Sequence, residues 1–234
     1  MIKLVVFDMA GTTIYDGDAV NMCLQQALHA RGVDVHRDAV NSVMGYPKPD
    51  AIRSLLIANE HISDIDLESE VDLVFKDFQH RMLMYYRYDV SVRPVEGAEQ
   101  VFRQLRAAGV RVALDTGFNR RIADTILHRL GWTVESGILD ATITSDEVER
   151  GRPFADMIIR LMEITDVSDC DEVAKVGDTP SDLQEGTAAG CSMIIGVTDG
   201  SHTRAELEPH PHTHLVATVA DVPGIVLSSA VSRT

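Results

Sequence analysis

Short apolar runs, each followed by a polar residue, constrain the fold of this chain more than any other feature of its sequence. They occupy residues 2–7, 110–114, 173–176 and 193–197 and are rich in valine, isoleucine and leucine. Such runs are typical of strands buried on both faces of a parallel sheet. Amphipathic helical patterns lie between them, three of which end at Gly109, Gly131 and Gly190. The alternation predicts an α/β fold, with a parallel sheet covered by helices on both faces.

Residues 18–86 differ, because they show helical periodicity and no convincing strand. Val20, Leu24 and Leu28 share one helical face before Gly32, and a second apolar face runs through residues 71–86. We therefore expect a core of residues 1–15 and 92–234, with a helical insert of residues 16–91 directly after the first strand. The second apolar face is compatible with packing inside the insert or with a homodimer, and periodicity leaves both open.

Composition disfavours several classes of function. The 234 residues carry 21 basic and 36 acidic side chains, a formal charge of −15, which disfavours general binding of nucleic acid or of an anionic membrane surface. No apolar run approaches the ~18 residues of a membrane span. The 3 cysteines form no Cys-x-x-Cys pair, which argues against a disulfide framework or a structural zinc site and favours the cytoplasm. We interpret His210, His212 and His214 as solvated, although their spacing also allows metal binding.

The polar residues that follow the predicted strands are the candidate functional residues. Ligands of open α/β sheets bind beyond the carboxyl ends of the strands, where this chain places Asp8, Thr116 and Asp178. Neighbouring carboxylates repel each other unless a cation lies between them, so Asp8 and Asp178 suggest a hard divalent ion such as Mg²⁺. Asp178 alone is equally compatible with capping the helix that Pro180 begins.

A second group of residues is suited to an anion. Thr116 and Gly117 come directly before the start of a helical pattern, where free backbone N–H groups and a hydroxyl favour a phosphate oxygen. Arg152 would add a fixed positive charge with several donors. An anionic small molecule could bind so acidic a chain only through a local reversal of charge of this kind.

Lys48 is one of only four lysines and lies between two prolines. Pro47 fixes the approach of the chain, and we expect Pro49 to keep Lys48 out of helical geometry at the start of the next helix. The two prolines would hold an amine at that point of the insert. A solvated turn lysine is the simpler interpretation of Lys48 alone.

Together these motifs resemble the haloacid dehalogenase superfamily. The resemblance rests on Asp8-Met9-Ala10-Gly11-Thr12, Thr116-Gly117, Gly151-Arg152-Pro153 and Gly177-Asp178-Thr179-Pro180-Ser181-Asp182. It implies a Rossmann-like three-layer core with the helical insert as a mobile cap. Asp8 would be the nucleophile that forms an aspartyl-phosphate.

The resemblance also implies the roles of the other residues. The Asp8 carboxylate, the Ala10 carbonyl and Asp178 would hold Mg²⁺, and Asp182 would support that site. Thr116 and Arg152 would bind the phosphoryl group.

Ala10 departs from the pattern of the superfamily's phosphatases. Those enzymes usually carry a second aspartate two residues after the nucleophile to protonate the leaving oxygen, and loss of such an acid costs ~10²–10⁴-fold in rate. The Asp-x-Ala-Gly-Thr motif and the Met-Gly-x-x-Lys-x-Asp motif around Lys48 are similar to the phosphonoacetaldehyde hydrolase branch, the phosphonatases. In that branch the lysine forms a Schiff base with the substrate aldehyde, so the C–P bond breaks to an enamine without an acid at this position.

The same resemblance implies which residues surround the substrate: Ala10, Gly11, Thr12, Met44, Gly45, Gly117 and Phe118. Two positions depart from the branch, because Ala51 stands where it has a histidine and Phe118 where it has a tyrosine. We therefore keep two alternatives. One is a small-molecule phosphate-ester phosphatase of the phosphoglycolate phosphatase type, in which Lys48 only contacts substrate. The other is a phosphate-binding regulatory protein without turnover.

Overall fold

The computed structural model describes residues 1–59 and 67–228. Within these residues, six strands form one parallel sheet in the order β3-β2-β1-β4-β5-β6. The strands are β1 (Leu4–Asp8), β2 (Arg111–Thr116), β3 (Ala141–Thr144), β4 (Val173–Gly177), β5 (Met193–Val197) and β6 (His214–Val216). This order reverses direction between β1 and β4, which is where ligands bind in open sheets of this type.

The helices cover both faces of the sheet. They are α1 (Ala19–His29), α2 (Arg37–Asn41), α3 (Lys48–Ala58), α4 (Leu67–Tyr88), α5 (Ala98–Ala107), α6 (Arg120–Leu130), α7 (Asp156–Ile164), α8 (Pro180–Ala188), α9 (Arg204–Leu207) and α10 (Val222–Ser228). Phe7 on β1 packs in one apolar cluster with residues of α5, α6 and α10. Val6 packs in a second cluster with α7 and α8. The predicted α/β class, with helices on both faces of a parallel sheet, is therefore confirmed. None of the described helices has both the length and the apolar character that a membrane crossing requires.

The four predicted strands are the four inner strands of the sheet, and their positions agree to within two residues at each end. The two edge strands were not predicted. β3 has the sequence Ala-Thr-Ile-Thr, and β6 has only 3 residues, none of them fully buried. Edge strands bury less apolar surface than central ones, so neither forms a long apolar run.

Four helices of the insert, α1 to α4, lie between β1 and α5. The apolar face of α4 is formed by Val71, Val74, Phe78, Met82 and Tyr86, all of which are buried. This face packs against α1, α3 and α6. The second apolar face is thus covered within the chain, and a homodimer stays a prediction.

The two connections between the insert and the sheet run side by side. Ile14 and Pro94 form an isolated antiparallel bridge. On either side of it, the Tyr15 N–H donates to the Arg93 carbonyl at 3.0 Å and the Val95 N–H donates to the Thr13 carbonyl at 2.9 Å. Backbone hydrogen bonds therefore join the start and the end of the insert.

Lys48 is the first residue of α3, with Pro49 in the first turn. The expectation that Pro49 keeps Lys48 out of helical geometry is wrong. A proline is tolerated at this place because the first N–H groups of a helix have no intrahelical partner.

Candidate active site

The predicted functional residues meet at the carboxyl edge of the sheet. A cavity there is lined from the sheet side by Asp8, Ala10, Thr116, Gly117, Phe118, Arg152, Thr179 and Ser201, and from the insert by Val20, Met44, Gly45 and Lys48. Its volume is about 30 Å³, enough for about two water molecules. The insert is therefore closed over the sheet edge.

Three glycines allow this close approach. A Cβ on Gly45 would lie 2.1 Å from Ser181 Oγ, and one on Gly117 would lie 2.6 Å from the Gly45 carbonyl oxygen. A Cβ on Gly151 would lie 2.6 Å from Pro47 Cγ. The hydroxyl of Ser181 also donates to the Met44 carbonyl at 3.2 Å. The loop before α3 thus rests directly on the backbone of the sheet side.

Lys48 brings a buried amine into the cavity. The residue is 4% exposed, its Nζ donates to the Tyr46 carbonyl at 3.3 Å, and it lies 5.7 Å from the centroid of the Phe118 ring. Burial, followed by the charge of Arg152, lowers the pKa of Lys48 to about 8, against the opposing effect of Asp8 and Asp16. A larger share of this amine is uncharged at neutral pH than for an ordinary lysine, and only the uncharged form is a nucleophile.

Arg152 joins Asp8 to a buried network of charges. Its Nη1 donates to Asp8 Oδ1 at 2.6 Å and lies 2.9 Å from Asp182 Oδ1. Its Nε donates to Glu185 Oε2 at 3.0 Å, and its Nη2 donates to Asp115. The guanidinium is 1% exposed, so in this closed form it neutralises carboxylates at the edge of the cavity.

Lys175 supplies the second cation of the network. Its Nζ lies 2.5 Å from Asp115 Oδ1, 2.9 Å from Glu185 Oε2 and 3.2 Å from Asp182 Oδ1. Asp115 sits between the two cations, and their charges hold the pKa of its carboxyl below the usual value despite burial. Arg152 and Lys175 therefore pair with all three carboxylates of this cluster, although Oδ1 of Asp182 and Oε1 of Glu185 are buried without a hydrogen-bond partner among the described residues.

The carboxylates nearer the cavity are less well balanced. Oxygen atoms of Asp8, Asp178 and Asp182 all lie within 4.8 Å of one another. Burial raises the pKa of Asp8 well above its usual value, and Asp182 and Asp178 raise it further. Five buried carboxylates share the network with two cations, so a divalent cation beside Asp8 and Asp178 would offset the remaining charge. These residues fit a metal site.

Asp178 is oriented by hydrogen bonds from two loops. Its Oδ1 accepts from the Thr12 hydroxyl at 2.9 Å, and its Oδ2 accepts from the backbone N–H and the hydroxyl of Ser201 at 2.7 and 2.6 Å. Thr12 is buried and acts through Asp178, whereas Gly11 lines a neighbouring cavity. These two residues, which the resemblance places beside the substrate, do not line the catalytic cavity in the closed form.

Thr116 lies at the end of β2, where the chain turns towards α6. Its Oγ1 accepts from the Phe118 N–H at 3.1 Å, and Thr116 lines the cavity. Asn119 caps α6 by accepting from the Ile122 N–H at 3.2 Å. Thr116 therefore lies at the wall of the cavity, and its contact with an anion stays a prediction.

Comparison with known proteins identifies the family. The model of the haloacid dehalogenase-like hydrolases matches residues 2–190. This chain belongs to that family. It is thus a hydrolase, and the resemblance drawn from its motifs is confirmed.

Proteins similar to this hydrolase carry two kinds of names, phosphonoacetaldehyde hydrolase and phosphoglycolate phosphatase. The phosphonoacetaldehyde hydrolase of Bacillus cereus (strain G9842) is 28% identical over 218 residues, which are 88% of this chain and 81% of that protein. A phosphonoacetaldehyde hydrolase-like protein from Oleispira antarctica has a similar structure, with a TM-score of 0.81 and 21% identity over 97% of this chain and 92% of its own. A predicted phosphoglycolate phosphatase from Haemophilus somnus has a TM-score of 0.76 and 16% identity over 96% and 97% of the two chains. At these identities the two structures show a shared fold.

Sequence reasoning missed several residues of this hydrolase's site. Asp115, Lys175 and Glu185 carry the buried network, and Val20, Thr179 and Ser201 line the cavity. The sequence did contain an indication that Asp115 and Lys175 are paired, because a charged residue inside a strand buried on both faces requires a partner. Ser201 follows β5, at the same sheet edge as the other strand ends.

The three histidines at the start of β6 and just before it, His210, His212 and His214, do not line this cavity. Nδ1 of His212 lies 2.7 Å from the His210 carbonyl oxygen, and Nδ1 of His214 lies 2.9 Å from the Thr213 hydroxyl. Among residues 1–59 and 67–228, none of these histidines belongs to a group of three side chains that could share a metal ion.

Proposed function

We propose that this hydrolase cleaves the C–P bond of a small phosphonate carbonyl compound such as phosphonoacetaldehyde, with Asp8 as nucleophile and Lys48 as the Schiff-base former. The observation that supports this most is Lys48 itself. Its amine is buried in the same cavity as Asp8, with its pKa lowered to about 8 by burial and by Arg152. An ester phosphatase needs no uncharged amine at this place.

Carbon chemistry would begin at Lys48. Its uncharged amine attacks the substrate carbonyl, and loss of water gives an iminium. When the C–P bond breaks, its electron pair moves into the carbon framework and neutralises the iminium as an enamine. The leaving group is thus stabilised without an acid at Ala10, which contributes a small side chain to the cavity wall.

Phosphorus chemistry would take place at Asp8. Its carboxylate attacks the phosphoryl group and forms an aspartyl-phosphate, which water then hydrolyses. Asp8, the Ala10 carbonyl and Asp178 would hold Mg²⁺ with Asp182 as support. The ion would offset the negative charge that Asp8 and the phosphoryl group bring together. Thr116 would donate its hydroxyl proton to a phosphoryl oxygen, and Arg152, which lowers the pKa of Asp8 against the effect of burial, would add positive charge.

The helical insert would act as a cap, residues 16–91 moving against residues 1–15 and 92–234. A volume of about 30 Å³ is too small for a substrate, so we expect the insert to move before binding. Closure would then exclude bulk water while the aspartyl-phosphate forms. Cross-linking the cap shut, with cysteines at its rim and on the core, is expected to stop turnover, and continued multiple turnover would contradict this role.

The direct test is phosphate release from phosphonoacetaldehyde with Mg²⁺, together with borohydride trapping and mass spectrometry of the peptide that contains Lys48. We expect phosphate release and a reduced adduct on Lys48. Lys48→Arg is the matched control, because it keeps the charge but cannot form a Schiff base. Phosphate release from esters alone, with Lys48 unmodified, would contradict the proposal.

An ester phosphatase is the second candidate. Ala51 and Phe118 favour it, because neither offers a proton-transfer group beside Lys48. Lys48→Ala separates the two functions. It is expected to abolish C–P cleavage, whereas for an ester it would mainly raise KM, since only a binding contact is lost.

A further inference from the structure

A second cavity adjoins the catalytic one at the base of the insert. It has a volume of about 420 Å³ and shares Ala10, Met44 and Ser201 with the catalytic cavity. Asp16 belongs to the wall of this second cavity. Asp16 therefore lies in a cavity next to the catalytic cavity that contains Lys48.

Asp16 is held in place by hydrogen bonds from Val20 and Tyr86. Its Oδ2 accepts from the Val20 N–H at 3.3 Å, and Val20 lines the catalytic cavity. Its Oδ1 accepts from the Tyr86 hydroxyl at 3.3 Å. The Tyr86 ring packs edge-to-face on Phe118, with centroids 5.8 Å apart, and Phe118 lies beside Lys48. A continuous series of contacts thus runs from Asp16 through Tyr86 and Phe118 to Lys48.

Other ionisable groups surround Asp16. Among the described residues they are Asp18, Cys23, Lys48, Tyr85, Tyr86 and Asp178. Asp18 is paired with Arg37, which also lines the second cavity. Burial is the largest influence and raises the pKa of Asp16 to about 6, with Asp178 acting in the same direction. A carboxyl group of this strength gives and regains a proton readily near neutral pH.

We propose that Asp16 is the acid that protonates the departing hydroxyl when the carbinolamine on Lys48 loses water. The inference rests on the proposed C–P cleavage. The Lys48 nitrogen lone pair forms the C=N bond, the C–O bond breaks, and its electrons leave with the oxygen, which takes the Asp16 proton and departs as water. Asp16 becomes a carboxylate and regains a proton from water in the second cavity.

Asp8, which lines the same cavity as Lys48, must be ionised to act as the proposed nucleophile, so the dehydration needs a different acid. Ala51, on the next turn of α3, has no ionisable group, and neither does Phe118. Arg152 and Lys175 are held in ion pairs. Asp16 lines the adjoining cavity and has no cationic partner among the ion pairs of the described residues.

The test compares Asp16→Asn with Asp16→Glu and with Asp18→Asn, which removes a neighbouring negative charge from the same cavity wall. The measurement is the rate at which borohydride traps the Lys48 adduct with phosphonoacetaldehyde, followed from pH 5 to pH 9. Inhibition by orthovanadate with Mg²⁺ reports separately on the phosphoryl site.

The expected profile of the unaltered protein is level between pH about 6 and about 8 and falls on both sides, because uncharged Lys48 increases as protonated Asp16 decreases. Asp16→Asn is expected to lower trapping at pH 7 by ~10²–10⁴-fold. Its rate should rise up to pH about 8 and then stay level, with orthovanadate inhibition unchanged. Asp16→Glu should restore the level profile, and Asp18→Asn should change trapping less than about threefold, as a screened charge would.

Trapping by Asp16→Asn at the unaltered rate, or with an unaltered profile, would overturn the role of Asp16 and leave the proposed function standing. If Asp16→Asn loses both adduct trapping and inhibition by orthovanadate, and Asp16→Glu restores neither, the role of Asp16 is purely structural. If the unaltered protein forms no adduct and releases no phosphate from phosphonoacetaldehyde, both proposals fail.

Discussion

Nη1 of Arg152 lies 2.6 Å from Oδ1 of Asp8, and both side chains are buried. The carboxylate at the end of β1 is therefore held by a guanidinium that also contacts Asp115, Asp182 and Glu185. Because these groups lie away from solvent, their charges interact strongly and cannot be replaced by water when one is removed. The network fixes the orientation of Asp8 before any substrate is bound.

Removing the guanidinium should cost stability as well as activity. Arg152→Ala leaves four buried carboxylates without their shared partner, and breaking buried pairs of this kind costs ~3–5 kcal/mol. Arg103→Ala is the control, because Arg103 is exposed and its pair with Glu99 is worth ~1 kcal/mol or less. Urea denaturation measures both variants, and a loss below about 1 kcal/mol for Arg152→Ala would contradict a structural role of the network.

Glu185 should make stability depend on pH. Burial, followed by Asp115, raises the pKa of Glu185 to about 8 from a usual 4.5. Between these two values the folded protein binds a proton that the unfolded chain does not, so the contribution of this group to stability falls as pH rises from about 5 to about 8. Relative to Glu185→Gln, the unaltered protein should lose free energy of unfolding over that range. Glu163→Gln, at an exposed pair with Arg160, is the control, and a constant difference between the unaltered protein and Glu185→Gln would contradict the prediction.

Lys48 should react with an amine reagent at a lower pH than an ordinary lysine. A pKa of about 8 instead of 10.5 leaves roughly 300-fold more uncharged amine at pH 7. The titration is measured by competitive labelling with cyanate and mass spectrometry. The measurement is made without urea and again in mild urea, which is expected to open the insert. Lys76 on α4 serves as the internal reference. Labelling of Lys48 that titrates near pH 10 in the closed protein would show that burial does not act on this amine.

Gly45 should be needed for closure of the insert. An alanine there would place Cβ 2.1 Å from Ser181 Oγ and 2.5 Å from Thr179 Oγ1. Gly32→Ala is a matched control, because Gly45 and Gly32 have φ of +82° and +79° but a Cβ on Gly32 would meet nothing within 4 Å. Both variants should lose about 1 kcal/mol of stability from backbone strain, and Gly45→Ala alone should lose about 10²-fold in kcat/KM, because misplacement of reacting groups by ~1 Å has that cost. Equal activity of the two variants would contradict the closed contact.

Ala10 should determine which leaving group is favoured. Ala10→Asp places a carboxyl in the wall of the catalytic cavity, where it could protonate an ester oxygen. We expect ester hydrolysis to increase by about 10²-fold and cleavage of the phosphonate to decrease, because the added negative charge disfavours the substrate. Ala10→Asn, of similar size but without an acid, is the control. An equal gain in Ala10→Asn would show that shape and not proton transfer is responsible.

The sequence predicted the inner part of the fold because buried strands leave long apolar runs. It predicted neither edge strand, since β3 and β6 are short and bury less surface. It indicated helices in the insert from apolar periodicity, whereas the five-residue α2 is too short to show it. The place of Lys48 inside α3 was misjudged because a proline excludes the preceding residue from a helix less strictly in the first turn.

The candidate site was predicted as far as its residues lie at strand ends. Asp8, Thr116 and Asp178 follow from topology, because parallel strands finish at one edge. The partners of Arg152 could not be predicted in the same way, since Glu185 is 33 residues away and lies on the helix after β4. Pairing over such distances depends on how α8 is rotated against the sheet, and a single sequence contains no measure of that rotation.

The bridge between Ile14 and Pro94 ties both ends of the insert together at one point. Two separate tethers would let the helices slide or twist over the sheet in several directions. If the insert opens as proposed, one paired connection would allow fewer movements of its helices against the sheet than two separate ones. In the proposed cycle, such a connection would favour the return of the Lys48 amine to the cavity that also contains Asp8.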